Sequence, residues 1–208
     1  LSRMFYDCKV LEDIGFIIQN IEFHIPTEKL WDLHVMDYRF AFWSYSHDIN
    51  DIPALDASDD EIFNYIIDID GPDAWDWNYE PCQYYIQAYM ELGHYQFCTT
   101  GLEDLLIVDD YILDDYLRYA YVPESVEDHF STAMHEKVDA FLRNTDAKYM
   151  FLYGSNDPWL YVGIGEEYIN GDNIVRYVLP GGGHGTKIAN FDAATQQEIK
   201  DKLNEWLR

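Results

Sequence analysis

Two loops of this sequence carry side chains whose types could perform acid–base chemistry. Asp157 stands directly before Pro158, and His184 follows a run of three glycines. A carboxylate can accept a hydrogen bond from one nitrogen of an imidazole ring, which fixes the ring and leaves its second nitrogen able to take a proton from a hydroxyl group. An acid and a base of this kind are two of the three parts of a nucleophile–histidine–acid triad.

Each loop follows a short apolar run that is typical of a strand buried on both faces, at residues 149–153 and 174–179. Functional groups of parallel sheets gather beyond the carboxyl ends of the strands. Pro158 disfavours the helical conformation for Asp157, and the glycines before His184 permit close backbone approaches. The sequence therefore predicts that Asp157 and His184 meet at one edge of a parallel sheet. In α/β-hydrolases the triad acid precedes the histidine along the chain, as it does here.

The elements around these strands are predicted to be helices. Ser125, with Asp128 three residues later, predicts a helix start. An apolar stripe at helical spacing follows it, formed by Phe130, Ala133, Met134, Val138, Phe141 and Leu142. A closing helix has Ile199, Leu203, Trp206 and Leu207 on one side. Helices alternating with buried strands predict the last part of a parallel α/β sheet.

The first part of the chain lacks this alternation and is rich in aromatic and acidic residues. Its apolar spacing predicts short helices, and the segment Asp56–Glu61, which is rich in acidic residues, indicates one helix start. We therefore predict two regions. Residues 1–123 form a helical, aromatic-rich region, and residues 124–208 form the sheet region that carries Asp157 and His184.

Composition excludes several classes of partner. The 208 residues include 39 acidic and 13 basic side chains, for a net charge of −26, which would repel nucleic acids and anionic membranes. The sequence contains no run of 18 apolar residues, which is about the length needed to span a bilayer. The seven histidines lack metal-ligand spacing, so we expect no metal and no other cofactor. Cys8, Cys82 and Cys98 allow at most one disulfide.

Four segments, in the same order as in the family, resemble the C-terminal part of a secreted serine tripeptidyl aminopeptidase of peptidase family S37. They are Phe-Ala-Phe-Trp at 40–43, leading to Ile52-Pro53; Tyr-Tyr-Ile-Gln-Ala at 84–88, leading to Glu-Leu-Gly-His-Tyr at 91–95; Tyr-Gly at 153–154, leading to Asp-Pro-Trp at 157–159; and Gly-Gly-His-Gly at 182–185. The sequence departs from the family at His94, where Tyr is common, and at Asn156, where an acidic residue is common. These two departures bear on substrate preference.

The resemblance implies an α/β-hydrolase with a mostly helical cap, here residues 1–123, and an extracytoplasmic (periplasmic or secreted) location. It implies that Asp157 is the triad acid, that His184 is the base, and that the substrate is a peptide with a free N-terminus. Glu91 is the candidate for binding the substrate's α-amino group, although a solvated helix carboxylate is an equal alternative. Trp43 and Trp159 are candidates for apolar subsites, and the alternative for both is core packing.

The sequence shows no nucleophile for this triad. None of its seven serines lies in a Gly-x-Ser-x-Gly segment, and Ser155 is too close to Asp157 to lie across the imidazole from it. We expect the 208 residues to be part of a longer protein whose N-terminal portion supplies the serine, and we expect this chain alone to be inactive. Two alternatives remain: another α/β-hydrolase, such as an esterase, and a degenerate hydrolase that acts as a binding domain.

Overall fold

The computed structural model describes residues 23, 25–71, 75, 82–107, 113–127 and 129–208. Contacts divide the chain into two compact units. The first comprises residues 1–39 and 50–137, and the second comprises residues 40–49 and 138–208. The predicted division differs from this one, because it separates a functional cap, at 1–123, from a sheet region, at 124–208. It stays a prediction.

The described part of the first unit consists of helices and loops. Helix α1 spans Thr27–Ser44 and enters the second unit at residue 40, α2 spans Asp59–Ile69, α3 spans Cys82–Gln87 and α4 spans Tyr116–Tyr121. Helix α3 continues into a π-helical segment at Ala88–Leu92. The fully buried side chains of this unit include Leu30, Leu33, His34, Phe63, Ile67 and Leu113.

Helix α2 begins where the sequence predicted. The Ser58 hydroxyl accepts a hydrogen bond from the Glu61 backbone N–H at 3.3 Å, and the Glu61 carboxylate accepts one from the Ser58 backbone N–H at 2.8 Å. This reciprocal pair is a capping box, which satisfies two backbone donors at the helix start. The helix then buries Phe63 and Ile67 on one face.

The second unit contains a parallel pair of strands, β1 at Tyr149–Gly154 and β2 at Ile174–Leu179, and ends in α6 at Ala193–Trp206. Tyr149 pairs with Ile174, and the register continues to Gly154 and Leu179. The two predicted strands are confirmed, but most of their residues are half-buried rather than buried on both faces. Two strands are the whole of the described sheet, so neither face is broad enough to be fully covered.

Helix α5 differs from its prediction. It spans Ala133–Asn144, so it starts eight residues after Ser125, and the Ser131 hydroxyl accepts a hydrogen bond from the Ala133 N–H at 3.3 Å. No residue of α5 is buried. Its apolar stripe, including Val138 and Phe141, is exposed because no described element packs extensively against this helix.

Among the described helices, none combines the length and the apolar character that crossing a membrane requires. Cys98 is an exposed cysteine that forms no disulfide, and Cys8 lies outside the described residues.

Candidate functional site

Asp157 lies in the loop that follows β1, and its position is fixed by a short helix. It is the N-cap of the 3₁₀-helix Pro158–Val162, with φ −71° and ψ 118°, the extended conformation that a following proline favours. Its Oδ1 accepts a hydrogen bond from the Trp159 backbone N–H at 3.1 Å. The carboxylate is only 4% exposed, so it is a buried acceptor of fixed orientation.

His184 lies in the loop that follows β2, and its imidazole ring contacts that carboxylate. The distance from His184 Nδ1 to Asp157 Oδ2 is 2.8 Å, and the imidazole is 58% exposed. An ionised carboxylate can only accept, so Nδ1 carries the hydrogen and Nε2 is the basic nitrogen of the neutral ring. No described residue is a hydrogen-bond partner of Nε2. The pair can therefore accept a proton at Nε2 and stabilise the resulting imidazolium.

Hydrogen bonds donated by backbone N–H groups join the two loops directly. The Asn156 N–H donates to the Gly182 carbonyl at 2.9 Å, and the Gly181 N–H donates to the Ser155 hydroxyl at 2.8 Å. A Cβ atom on Gly154 would lie 2.1 Å from the Gly182 carbonyl oxygen, so only glycine permits this approach. The loops that carry the acid and the base are thus packed backbone against backbone.

A third segment of the second unit contacts the histidine loop. The His184 N–H donates to the Ser44 carbonyl at 2.7 Å, at the end of α1. Ser44 and Ser46 lie within residues 1–123, the predicted cap, and the sequence predicts no role for either. The one sequence signal was that the Phe-Ala-Phe-Trp segment, which carries part of the family resemblance, ends directly before Ser44.

The three candidate substrate-binding residues have different surroundings. Trp43 is exposed and packs edge-on against Phe42, with ring centroids 5.1 Å apart. Trp159 is half-buried next to Asp157. Both belong to the unit of Asp157 and His184. Glu91 belongs to the first unit, where it is half-buried in the π-helical segment and accepts a long hydrogen bond from Gln87 Nε2 at 3.5 Å.

The first unit contains another histidine–aspartate pair. His34 Nδ1 accepts a hydrogen bond from Trp75 Nε1 at 3.2 Å and lies 3.9 Å from Asp70 Oδ2. The His34 ring is completely buried, and this burial lowers its pKa to about 4. It is therefore neutral at pH 7 and inaccessible to a substrate. Among the described residues, no group of three or more His, Cys, Asp or Glu side chains could bind a metal ion.

Comparison with known proteins relates this chain to a family. The family model described as PS-10 peptidase S37 matches residues 15–207. The chain is similar to a prolyl tri/tetrapeptidyl aminopeptidase of Streptomyces mobaraensis, with 30% identity over 196 residues. That alignment covers 86% of this chain but 38% of the relative, so the chain spans less than half of the relative's length. No solved structure matches significantly.

Proposed function

Since the chain belongs to peptidase family S37, we propose that it supplies the acid and the base of a serine aminopeptidase that releases tripeptides or similar short units from free N-termini. One observation carries the proposal. The Asp157 carboxylate is buried and bonded to an imidazole whose second nitrogen is exposed, with 2.8 Å between Oδ2 and Nδ1.

In the proposed acylation step, His184 Nε2 takes the proton of a serine hydroxyl as the serine oxygen attacks the scissile carbonyl carbon. The resulting tetrahedral intermediate collapses when the imidazolium gives that proton to the leaving amine. The C–N bond breaks and the amine fragment leaves. The N-terminal short peptide remains attached to the serine as an ester.

In the proposed deacylation step, water replaces the amine. His184 takes a proton from the water as the water oxygen attacks the ester carbonyl carbon. It then gives a proton to the serine oxygen as the ester C–O bond breaks. Asp157 stays ionised throughout; it fixes the ring orientation and stabilises the imidazolium.

The serine of this mechanism is proposed to come from an N-terminal portion of the same protein. Two observations support this assignment. None of the seven serines in the chain lies in a Gly-x-Ser-x-Gly segment, and the aligned region is 38% of the relative's length. The 208 residues alone would then be inactive.

Glu91 is proposed to bind the α-amino group of the substrate by a charge-assisted hydrogen bond. Its place in the π-helical segment supports this role, because such segments are frequent at functional sites. Trp43 and Trp159 are proposed to form apolar subsites, since both belong to the unit of the acid and the base. The proposed location of the protein is extracytoplasmic, in line with the exported family that the sequence resembles.

The decisive experiment compares two histidine variants of the full-length protein that contains this chain. His184→Ala should lower kcat/KM for a tripeptidyl 4-nitroanilide by at least about 10³-fold, because the general base is lost. His129→Ala removes another exposed histidine, in the first unit, and should leave kcat/KM within about twofold. Full activity of the His184→Ala protein would refute the assigned base.

The same preparation separates the alternatives. An esterase would hydrolyse a 4-nitrophenyl ester far faster than the tripeptidyl anilide. A degenerate hydrolase would turn over neither substrate yet still bind peptides. Activity of the isolated 208-residue chain would refute the proposal that its serine lies elsewhere.

A further inference from the structure

Helix α1 ends in a turn whose conformation is unusual for its sequence. The His47 N–H donates to the Phe42 carbonyl at 3.2 Å, and the Ser46 N–H donates to the Trp43 carbonyl at 3.4 Å. These are the two hydrogen bonds of a Schellman turn, and the stacked rings of Phe42 and His47 supply its accompanying side-chain contact. The residue at the left-handed position of such a turn is usually glycine.

Here that residue is Ser46, with φ 61°. Among the described residues it is the one residue other than glycine with positive φ. Side chains with a Cβ atom are disfavoured in this region, so such a conformation persists only where the surroundings enforce it. Strain of this kind is frequent at functional sites.

The turn directs the end of α1 at the backbone of the histidine loop. The last four carbonyls of a helix have no donor within the helix, and the Ser44 carbonyl accepts its hydrogen bond from His184 at 2.7 Å. The contact is tight on both sides of that bond. A Cβ atom on Gly183 would lie 2.5 Å from the Ser44 carbonyl oxygen and 2.3 Å from Ser46 Oγ.

We propose that the Ser44–Ser46 turn is the positioning element of the His184 backbone. This inference rests on the proposed role of His184 as the general base. Asp157 orients the imidazole ring through its hydrogen bond to Nδ1, at 2.8 Å. The turn fixes the main chain from which the ring projects. A displacement of about 1 Å at such a group can lower a rate by about 10²-fold.

The two glycines that flank His184 provide a matched test. Gly183→Ala forces the turn and the loop apart, whereas Gly185→Ala adds a Cβ in open space, with no atom within 4 Å. In the full-length protein, Gly183→Ala should lower kcat about 10- to 100-fold with KM nearly unchanged. Gly185→Ala should leave both constants within about twofold. Equal kcat values for the two variants would overturn the proposal.

A second pair of variants tests the turn itself and serves if Gly183→Ala fails to fold. Glycine is the usual residue at this position and adds no atom beside Gly183, whereas a β-branched residue disfavours the left-handed region. Ser46→Gly should therefore keep kcat within about twofold, and Ser46→Val should lower it about 3- to 10-fold. A Ser46→Val protein with unchanged kcat would contradict the positioning role.

Spectroscopy of the full-length protein gives a readout that loss of stability alone would not move. The long-range ¹H–¹⁵N spectrum of ¹⁵N-histidine protein reports the tautomer of each ring, and the His184 signals are those missing from His184→Gln. We expect the Nδ1–H tautomer in the unchanged chain and in Gly185→Ala, and a mixture of tautomers in Gly183→Ala. An unchanged His184 pattern in Gly183→Ala would refute the inference.

Failure of this inference and failure of the proposed function give different results. If His184→Ala keeps its activity, the proposed function is wrong. If His184→Ala is inactive while Gly183→Ala and Ser46→Val behave like the unchanged protein, only the positioning role is wrong.

Discussion

Each unit of the molecule contains a histidine–aspartate pair among its described residues, and the two pairs are buried in opposite ways. In the first unit the His34 ring is 0% exposed and the Asp70 side chain is 18% exposed. In the second unit the Asp157 side chain is 4% exposed and the His184 ring is 58% exposed.

The difference separates a histidine that stabilises a core from one that is able to react. A base must present a nitrogen to its substrate, while the carboxylate behind it works best where water cannot compete for its hydrogen bond. Desolvation keeps His34 neutral, with a pKa of about 4. Closeness of His and Asp in a structure is therefore a weak indication of catalysis unless the imidazole is the exposed partner.

The largest effect is expected from Asp157→Asn, which disrupts the pair of Asp157 and His184 while keeping the shape of the side chain. In Asp157→Asn the amide oxygen can still cap the Pro158–Val162 helix, but the amide NH₂ would donate to His184 Nδ1 and favour the wrong tautomer. We expect kcat for a tripeptidyl anilide to fall on the order of 10⁴-fold in the full-length protein. Stopped assays with active-site titration measure this.

The matched control is stability. The urea midpoint of Asp157→Asn should stay close to that of the unchanged protein, since the cap is kept. A variant with nearly full kcat would show that the second pair is as structural as the first.

The next largest effect is the loss of folding stability that acid should cause through the pair of His34 and Asp70. The pKa of His34 is about 4 in the folded protein and near 6.5 in the unfolded chain, so the unfolded chain binds more protons between these values. The stability that neutral His34 contributes is present above pH 6.5 and is lost as the pH falls toward 4, by about 3 kcal/mol. Urea unfolding at pH 7.5, 6, 5 and 4 measures it.

Other groups of the first unit titrate as well. The test therefore compares the pH dependence of stability of the unchanged protein with that of His34→Asn. Burial lowers the pKa of His94 to about 4, which adds to the loss, and burial raises the pKa of Asp37, which opposes it. His34→Asn keeps an acceptor for Trp75 but cannot take up the proton. Its stability should therefore fall less steeply with acid. Identical slopes for the two proteins would contradict the assignment.

The smallest effect compares one helix cap in each unit. Ser58→Ala removes the capping box of α2, and Asp192→Ala removes the acceptor for the Ala194 and Thr195 N–H groups at the start of α6. Each change should lower stability by about 1 kcal/mol. Hydrogen exchange should increase in α2 for the first variant and in α6 for the second. Equal changes in both helices after either substitution would show that the units do not open independently.

The sequence predicted those parts of the structure that depend on local patterns. β2 lies at the expected residues, and the acidic run after Ser58 marks a real helix start. The start at Ser125 was wrong, although its pattern is similar. In a capping box the residue three places on is a Glu or Gln, long enough to reach back to the cap, whereas Asp128 has a shorter side chain.

The parts that the sequence did not predict depend on contacts between distant segments. The Phe-Ala-Phe-Trp segment draws attention to the residues before Ser44, but it does not show that the Ser44 carbonyl accepts a hydrogen bond from His184, because a backbone carbonyl has no side-chain signature. The exposure of the α5 stripe was also hidden, since an apolar face at helical spacing predicts a buried face whether or not a neighbour covers it. The order of Asp157 and His184 after two strands was enough to predict that they meet.

The contact between Gly154 and Gly182 has a consequence for how the protein loses activity. Because the main chain behind the carboxylate packs against the main chain behind the imidazole, we expect the two loops to loosen together on heating. Thermal inactivation should then be abrupt rather than gradual.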